Sequence, residues 1–292
     1  MNYIKKFIAI ISIILGSTIF VCTAVADIFI GSAYSDLKDA YKSMTAELAL
    51  FKDGSFDSYE ILDSSSLKVD GITYYNFERS WKVAFSPFRD QVWSLVYRRN
   101  IENTERFEYR DGTIRVAKGG FDEVYYVSSG SYLETFVLPP IFQLEDRERA
   151  FDAIFGNYAE LVQVEDFADK RIYSVNLSGV QIPLMVDVAL SGTIRLMTIA
   201  HPLDDTFPHP ASAMYLQSIS LNVIENEFGM LESWLLTMTA SAIDHNGVTR
   251  IYTTEESFQI VGINSTILER PVLEGREVSF WDESVRGYFY DK

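Results

Sequence analysis

The sequence predicts an α+β fold in which an antiparallel β-sheet has its apolar face covered by helices. From about residue 56 onward, most of the chain divides into short segments of alternating apolar and polar residues, separated by turn pairs such as Asp70-Gly71, Asp111-Gly112 and Asn246-Gly247. Two other segments, from Ser35 and from Arg147 to Val162, repeat their apolar residues at helical spacing. Hydrophobic residues make up 48% of the chain and aromatics 14%, with 17 Tyr and 20 Phe, a composition that favours a folded, strand-rich core.

The elements follow in chain order. Met1-Asn2-Tyr3-Ile4-Lys5-Lys6 is a basic head, Phe7 to Val21 carries no charge, and Ala24-Val25-Ala26 supplies a small-x-small site. That order is the layout of a bacterial secretory signal peptide spanning 1–26, cut after Ala26. The alternatives are an uncleaved N-terminal membrane anchor, since the apolar run continues through Ile28-Phe29-Ile30, and lipid attachment at Cys22. Cys22 is the only cysteine, so residues 27–292 contain no thiol or disulfide and rely on a core large enough to do without staples.

After the leader, Leu37, Tyr41, Met44 and Leu48 form one face of an amphipathic helix that starts at Ser35. A meander from about residue 56 to 128 follows. In it Tyr75, Phe77, Arg79, Trp81, Val83 and Phe85 alternate with polar residues, Gln91 to Tyr97 forms a second strand, Glu105 to Val116 a hairpin, and Val124 to Val127 a further strand. A second helix spans Arg147 to Val162, where Phe151, Ile154, Phe155, Tyr158 and Leu161 share a face. A strand at Arg171 to Leu177 leads to Ser178-Gly179-Val180-Gln181-Ile182-Pro183-Leu184, which predicts a brief helix with Pro183 in its first turn. Prolines make 201–210 a loop. Strands return at Tyr215 to Val223, with Tyr215 on the apolar side, and at Trp234 to Ala242. Thr249 to Thr254 and Ser257 to Val261 are read as two further strands paired as a hairpin. No linker or repeat divides the chain, which predicts one domain over about 33–270 and a C-terminal extension, 271–292, that is either a packed segment or a mobile end.

The net charge is −16, and removal of Lys5 and Lys6 with the leader takes it to −18. A field of that sign disfavours nucleic acid and anionic membrane surfaces as partners, and suits solubility outside the cell.

The order of elements resembles the LolA-like lipoprotein-carrier superfamily, in particular exported Gram-positive members of unassigned function. The likeness lies in the leader, the helix written Tyr34-Ser35-Asp36-Leu37-Lys38-Asp39-Ala40, the meander with Val69-Asp70-Gly71 and Phe107-Glu108-Tyr109-Arg110-Asp111-Gly112, the mid-chain helices, and the closing Asp244-His245-Asn246-Gly247 turn. This chain is longer than the carriers and lacks the lipidation box of many Gram-positive relatives. The resemblance implies a curved antiparallel sheet, an incomplete barrel wrapped over helices, with an aromatic-lined cavity for acyl chains. Tyr75, Phe77, Trp81, Phe85, Trp93 and Tyr97 would then line or floor that cavity, although an apolar strand face is also what a plain core requires.

Other chemistry finds little support. His201, Asp204, Asp205 and His209 are metal-ligand types without a metal-site spacing, so no metal is expected. Asp244-His245-Asn246-Gly247 lacks the acidic ligands of a calcium loop and reads as a hairpin turn. There is no G-x-S-x-G elbow and no phosphate-binding glycine loop, and carboxylates such as Glu160, Glu165, Asp166 and Asp169 are too common in this chain for any pair to stand out. The expectation is an exported, non-enzymatic protein without cofactor that binds a lipid, acyl chain or other hydrophobic ligand. The alternative is a structural or interaction protein of the cell envelope, with a filled core and a protein partner.

Overall fold

The computed structural model describes residues 33–49, 56–85, 91–99, 104–111, 114–118, 125–129, 161–167, 169–200 and 206–280. The signal segment, Arg147 to Glu160 of the second helix, the loop residues His201, Asp204 and Asp205, and the tail beyond Phe280 lie outside this set.

The elements are α1 (Ala33–Ala49), β1 (Ser58–Val69), β2 (Ile72–Phe85), β3 (Gln91–Arg99), β4 (Thr104–Asp111), β5 (Ile114–Lys118), β6 (Tyr125–Ser129), β7 (Gln163–Phe167), β8 (Lys170–Ser178), α2 (Leu184–Ala200), β9 (Tyr215–Glu225), β10 (Leu231–Ile243), β11 (Thr249–Val261) and β12 (Val278–Phe280). The strands form one open, curved sheet in the order β12-β6-β5-β4-β3-β2-β1-β11-β10-β9-β8-β7. Two antiparallel meanders, β1 to β6 and β7 to β11, are thus joined where β11 returns to pair with β1. Among the described strands only β12 runs parallel to its neighbour, so part of the predicted C-terminal extension adds a strand at the edge of β6.

Alternation sorts the two faces. On the inner face, Leu37, Tyr41 and Met44 of α1 join Tyr59, Ile61, Trp81, Val83, Leu221, Val223, Leu236, Met238 and Ile260 in one buried cluster that also takes in Val186, Leu190, Ile194 and Met197 of α2. Burying a side chain of this size is worth about 1.5–3 kcal/mol. On the outer face, polar pairs cross between strands: Lys68 with Glu255, Ser64 with Ser257, Ser80 with Glu60 and Ser220 with Asn176. Between β1 and β2 the two-residue turn needs positive φ at both positions, and Asp70 (φ 50°) and Gly71 (φ 84°) supply it.

Helix α2 departs from the brief helix predicted after Pro183. A short 3₁₀ turn, Gly179–Gln181, precedes it, and the helix then runs 17 residues. Its sequence is apolar on both sides, with Val186 and Leu190 buried while Leu184 and Val188 are exposed, so no amphipathic period marks its length. Tyr215 is also corrected. A register shift opposite Thr239 and Ala240 turns it outward and brings Leu216 into the core. The Leu216 N–H donates to Asp187 Oδ1 (2.7 Å), which ties α2 to the bulge. β11 is one continuous strand rather than two, because Glu255 and Glu256 keep the alternation instead of breaking it.

Candidate ligand-binding face

The β1–β11 seam places polar residues on the inner face of the sheet. Asp63 stands opposite Arg79 of β2 and Phe258 of β11; Ser65 stands opposite Phe77 and Glu256; Leu67 stands opposite Tyr75 and Thr254. Asp63, Ser65, Arg79, Thr254 and Glu256 therefore form a polar island among Tyr75, Phe77, Trp81 and Phe258, with Trp234 stacked on Phe258 at 6.0 Å.

Within the island, Arg79 and Asp63 satisfy each other. Nε of Arg79 donates to both carboxylate oxygens (3.0 and 2.9 Å), and Nη2 adds a further bond to Oδ2. Their side chains are only 17% and 12% exposed. Desolvation raises the Asp63 carboxyl above its ordinary value, and the charge and hydrogen bonds of Arg79 pull it partway back.

The hydroxyls are different. Ser65 Oγ and Thr254 Oγ1 are buried with no hydrogen-bond partner, and Thr254 is 0% exposed. The Glu256 carboxylate directly opposite Ser65 is 3% exposed. Leaving a buried hydroxyl unbonded costs about 1–3 kcal/mol, so folded proteins leave few of them. Hydroxyls donate and accept while a carboxylate accepts, so this group of residues can receive the polar part of a mostly apolar molecule.

Of the aromatic residues singled out in the sequence, Tyr75, Phe77 and Trp81 lie on this face and belong to the buried cluster. The register puts Phe85, Trp93 and Tyr97 on the same face, through Phe85 opposite Gln91, Val83 opposite Trp93 and Arg79 opposite Tyr97; their side chains lie outside the described set. Ser65, Thr254 and Glu256 are the residues that sequence reasoning missed. Their signal is the inward alternation Tyr252, Thr254, Glu256, Phe258, Ile260, in which a glutamate holds a core position.

Away from the face, His209 stacks edge-on against Phe207 at 4.8 Å, and the Tyr252 hydroxyl donates to the Pro208 carbonyl (2.5 Å), holding this end of the 201–210 loop against β11. Burial pushes the Tyr252 phenol up to about 12. No cluster of three metal-ligand residues occurs among the described residues. The Asp244 turn is a hairpin turn: Asp244 Oδ1 accepts from the N–H groups of Asn246 and Val248, and Oδ2 accepts from Arg250.

No protein-family model matches the sequence, and no curated protein does. Among solved structures the chain is similar to LprF from Mycobacterium bovis, at 12% identity over 81% of this chain and 95% of that one, with a TM-score of 0.33. It is similar to a DUF1329 family protein from Desulfovibrio piger, at 9% identity over 80% of this chain and 95% of that one, with a TM-score of 0.23. A LolA superfamily protein from Nitrosomonas europaea is similar at 8% identity over 79% of this chain and 95% of that one, with a TM-score of 0.22. These TM-scores lie well below 0.5, and the functional reading rests on the residues of the chain itself.

Proposed function

We propose that the protein is an exported, non-enzymatic binder of a lipid or another hydrophobic ligand, held on the inner face of its open sheet. One observation carries the reading: two hydroxyls, Ser65 and Thr254, are buried without partners beside a buried glutamate, within a floor of aromatic side chains. A ligand with an apolar body and a hydrogen-bonding group supplies what that floor lacks. Tyr75, Phe77 and Trp81, with Phe85, Trp93 and Tyr97 continuing the same face, offer the apolar contact. Export is supported by the Lys5-Lys6 head, the uncharged run and Ala24-Val25-Ala26.

A second reading, an envelope interaction protein with a filled core, is favoured by the close burial of Tyr75, Phe77 and Trp81 and by the outward-facing Leu184, Val188 and Ile199 of α2. Native mass spectrometry of the processed protein, recovered without detergent and compared before and after organic extraction, separates the two. Adducts of lipid mass that vanish on extraction are expected. A bare mass together with a stoichiometric envelope partner is the outcome of the second reading.

A further inference from the structure

The strand register sets out a grid on the inner face where β2, β1, β11 and β10 lie side by side. Its rows run Arg79, Asp63, Phe258, Trp234; then Phe77, Ser65, Glu256, Leu236; then Tyr75, Leu67, Thr254, Met238. The polar members follow a diagonal, from the Arg79–Asp63 pair through Ser65 and Glu256 to Thr254, and every other position is apolar or aromatic. Arg79 is the cation of the grid, and Asp63 already holds its guanidinium through Nε and Nη2. Beside the unbonded Ser65 and Thr254 hydroxyls the charge that the grid supplies is a carboxylate, since Glu256 stands directly opposite Ser65 and two residues from Thr254. Burial deepens along the diagonal: the Arg79 and Asp63 side chains keep 17% and 12% exposure, whereas Thr254 keeps none. A polar group that enters past the Arg79–Asp63 pair therefore meets hydroxyl oxygens and a carboxylate.

We infer that the polar group of the ligand is an uncharged hydroxyl head, as in a monoacylglycerol, seated at Ser65 and Thr254, and that the site rejects the free fatty acid of the same chain length. This rests on the hydrophobic-ligand reading and adds the chemistry of the head. A hydroxyl both donates and accepts, so a head with two of them completes the hydrogen bonding of Ser65 Oγ and Thr254 Oγ1 together. An anionic head finds on the grid a single cation, already held by Asp63, and is desolvated next to the Glu256 carboxylate. Burying a charge on such terms costs far more than burying a hydroxyl that gains its bonds. Phe77, Tyr75, Leu67 and Met238 border the two hydroxyls and take the apolar chain.

The test uses the processed full-length protein, freed of bound lipid, and three probes of equal chain length: 1-palmitoylglycerol, palmitate and hexadecylamine. Binding is followed by tryptophan fluorescence, since Trp234 stands on the grid. At about pH 8, where a free carboxyl is ionised, 1-palmitoylglycerol is expected to bind at least about tenfold more tightly than palmitate. In Ser65→Ala/Thr254→Val the affinity for 1-palmitoylglycerol falls about tenfold while palmitate is unchanged, so the preference collapses. Thr254→Ser, which keeps a hydroxyl at the same position, keeps the preference. Should the double variant fail to fold, the ranking of the three probes on the parent protein still decides. Palmitate bound as tightly as 1-palmitoylglycerol, or hexadecylamine bound more tightly, overturns the uncharged head and leaves the hydrophobic-ligand reading intact. A preference that survives in the folded double variant overturns the seat at Ser65 and Thr254. Binding of none of the three probes overturns both readings.

Discussion

The two meanders of the sheet follow one pattern of antiparallel strands but furnish their inner faces differently. In β8 to β10 the inner positions are apolar: Tyr173 and Leu177, then Ile219, Leu221 and Val223, then Trp234, Leu236, Met238, Ala240 and Ala242. Both described α-helices pack on this half, α1 against β10 and α2 against β9 and β10. At the seam the same face takes in Thr254, Glu256, Asp63, Ser65 and Arg79. Over β4 and β5 the buried residues Tyr109 and Val116 are on the opposite face, since the register runs Lys82, Ser94, Tyr109, Val116. The comparison teaches a division of labour. The inner face of β9 and β10 serves packing alone, whereas β1, β2 and β11 share the same buried core and set a few polar groups among its apolar side chains.

Substitutions that act on one half and spare the other sharpen this contrast. The largest effect is expected in the packed half: Leu221→Ala should cost about 4 kcal/mol in chemical denaturation by leaving a cavity, with ligand carried per folded molecule unchanged. At the seam, Arg79→Met should cost about 3 kcal/mol by stranding the Asp63 carboxylate, and Asp63→Leu/Arg79→Met should recover most of that stability. A double variant no more stable than the single one would show that the pair is held for its packing rather than its charge.

Smaller and of opposite sign is the effect of deleting the unbonded hydroxyls. Ser65→Ala and Thr254→Val should each leave the ligand-free protein as stable or more stable by about 1 kcal/mol, since they remove a desolvated group that gains nothing in return. Thermal denaturation of extracted protein checks the sign.

The smallest effects are in the acid limb of stability. Arg250 first, then the backbone N–H groups of Val248 and Asn246, hold the Asp244 carboxyl below the usual carboxylate value, while the Ile251 N–H and then Arg250 do the same for Asp70. Both groups therefore contribute stability that is present above the ordinary carboxylate value and is lost as pH falls through their depressed values. Asp63, raised by desolvation, has the opposite sign: stability declines as pH rises from the ordinary value through its raised one. Carboxyl titration by NMR should place Asp244 and Asp70 on one side of the ordinary value and Asp63 on the other, and Arg250→Gln should move Asp244 and Asp70 upward together.

Much of this architecture was legible in the sequence because alternation is a local property. β2, β3, the β4–β5 hairpin, β9 and β10 each announce themselves within a dozen residues, and so does the Leu37, Tyr41, Met44 face of α1. Besides the short edge strand β12, three elements were not legible. β1 carries Asp63-Ser64-Ser65-Ser66, which reads as a loop until a partner strand is known; β7 is exposed at every position and has no apolar side to betray it; α2 has apolar residues on both its buried and its exposed side. The aromatic stripe was visible, but the island was not. Its members meet only through pairing between β1 and β11, strands whose partners Ser64 and Ser257 are 193 residues apart, and Ser, Thr and Glu read singly belong to a wet face.

The most direct test of the central claim is a pair of native mass spectra, taken without detergent, of the processed protein and of its Ser65→Ala/Thr254→Val variant. A lipid-mass adduct on the parent that is lost or weakened in a folded variant is the predicted result. A parent protein of bare mass, or an adduct retained equally by both, contradicts a ligand seated at the Ser65, Thr254 and Glu256 island.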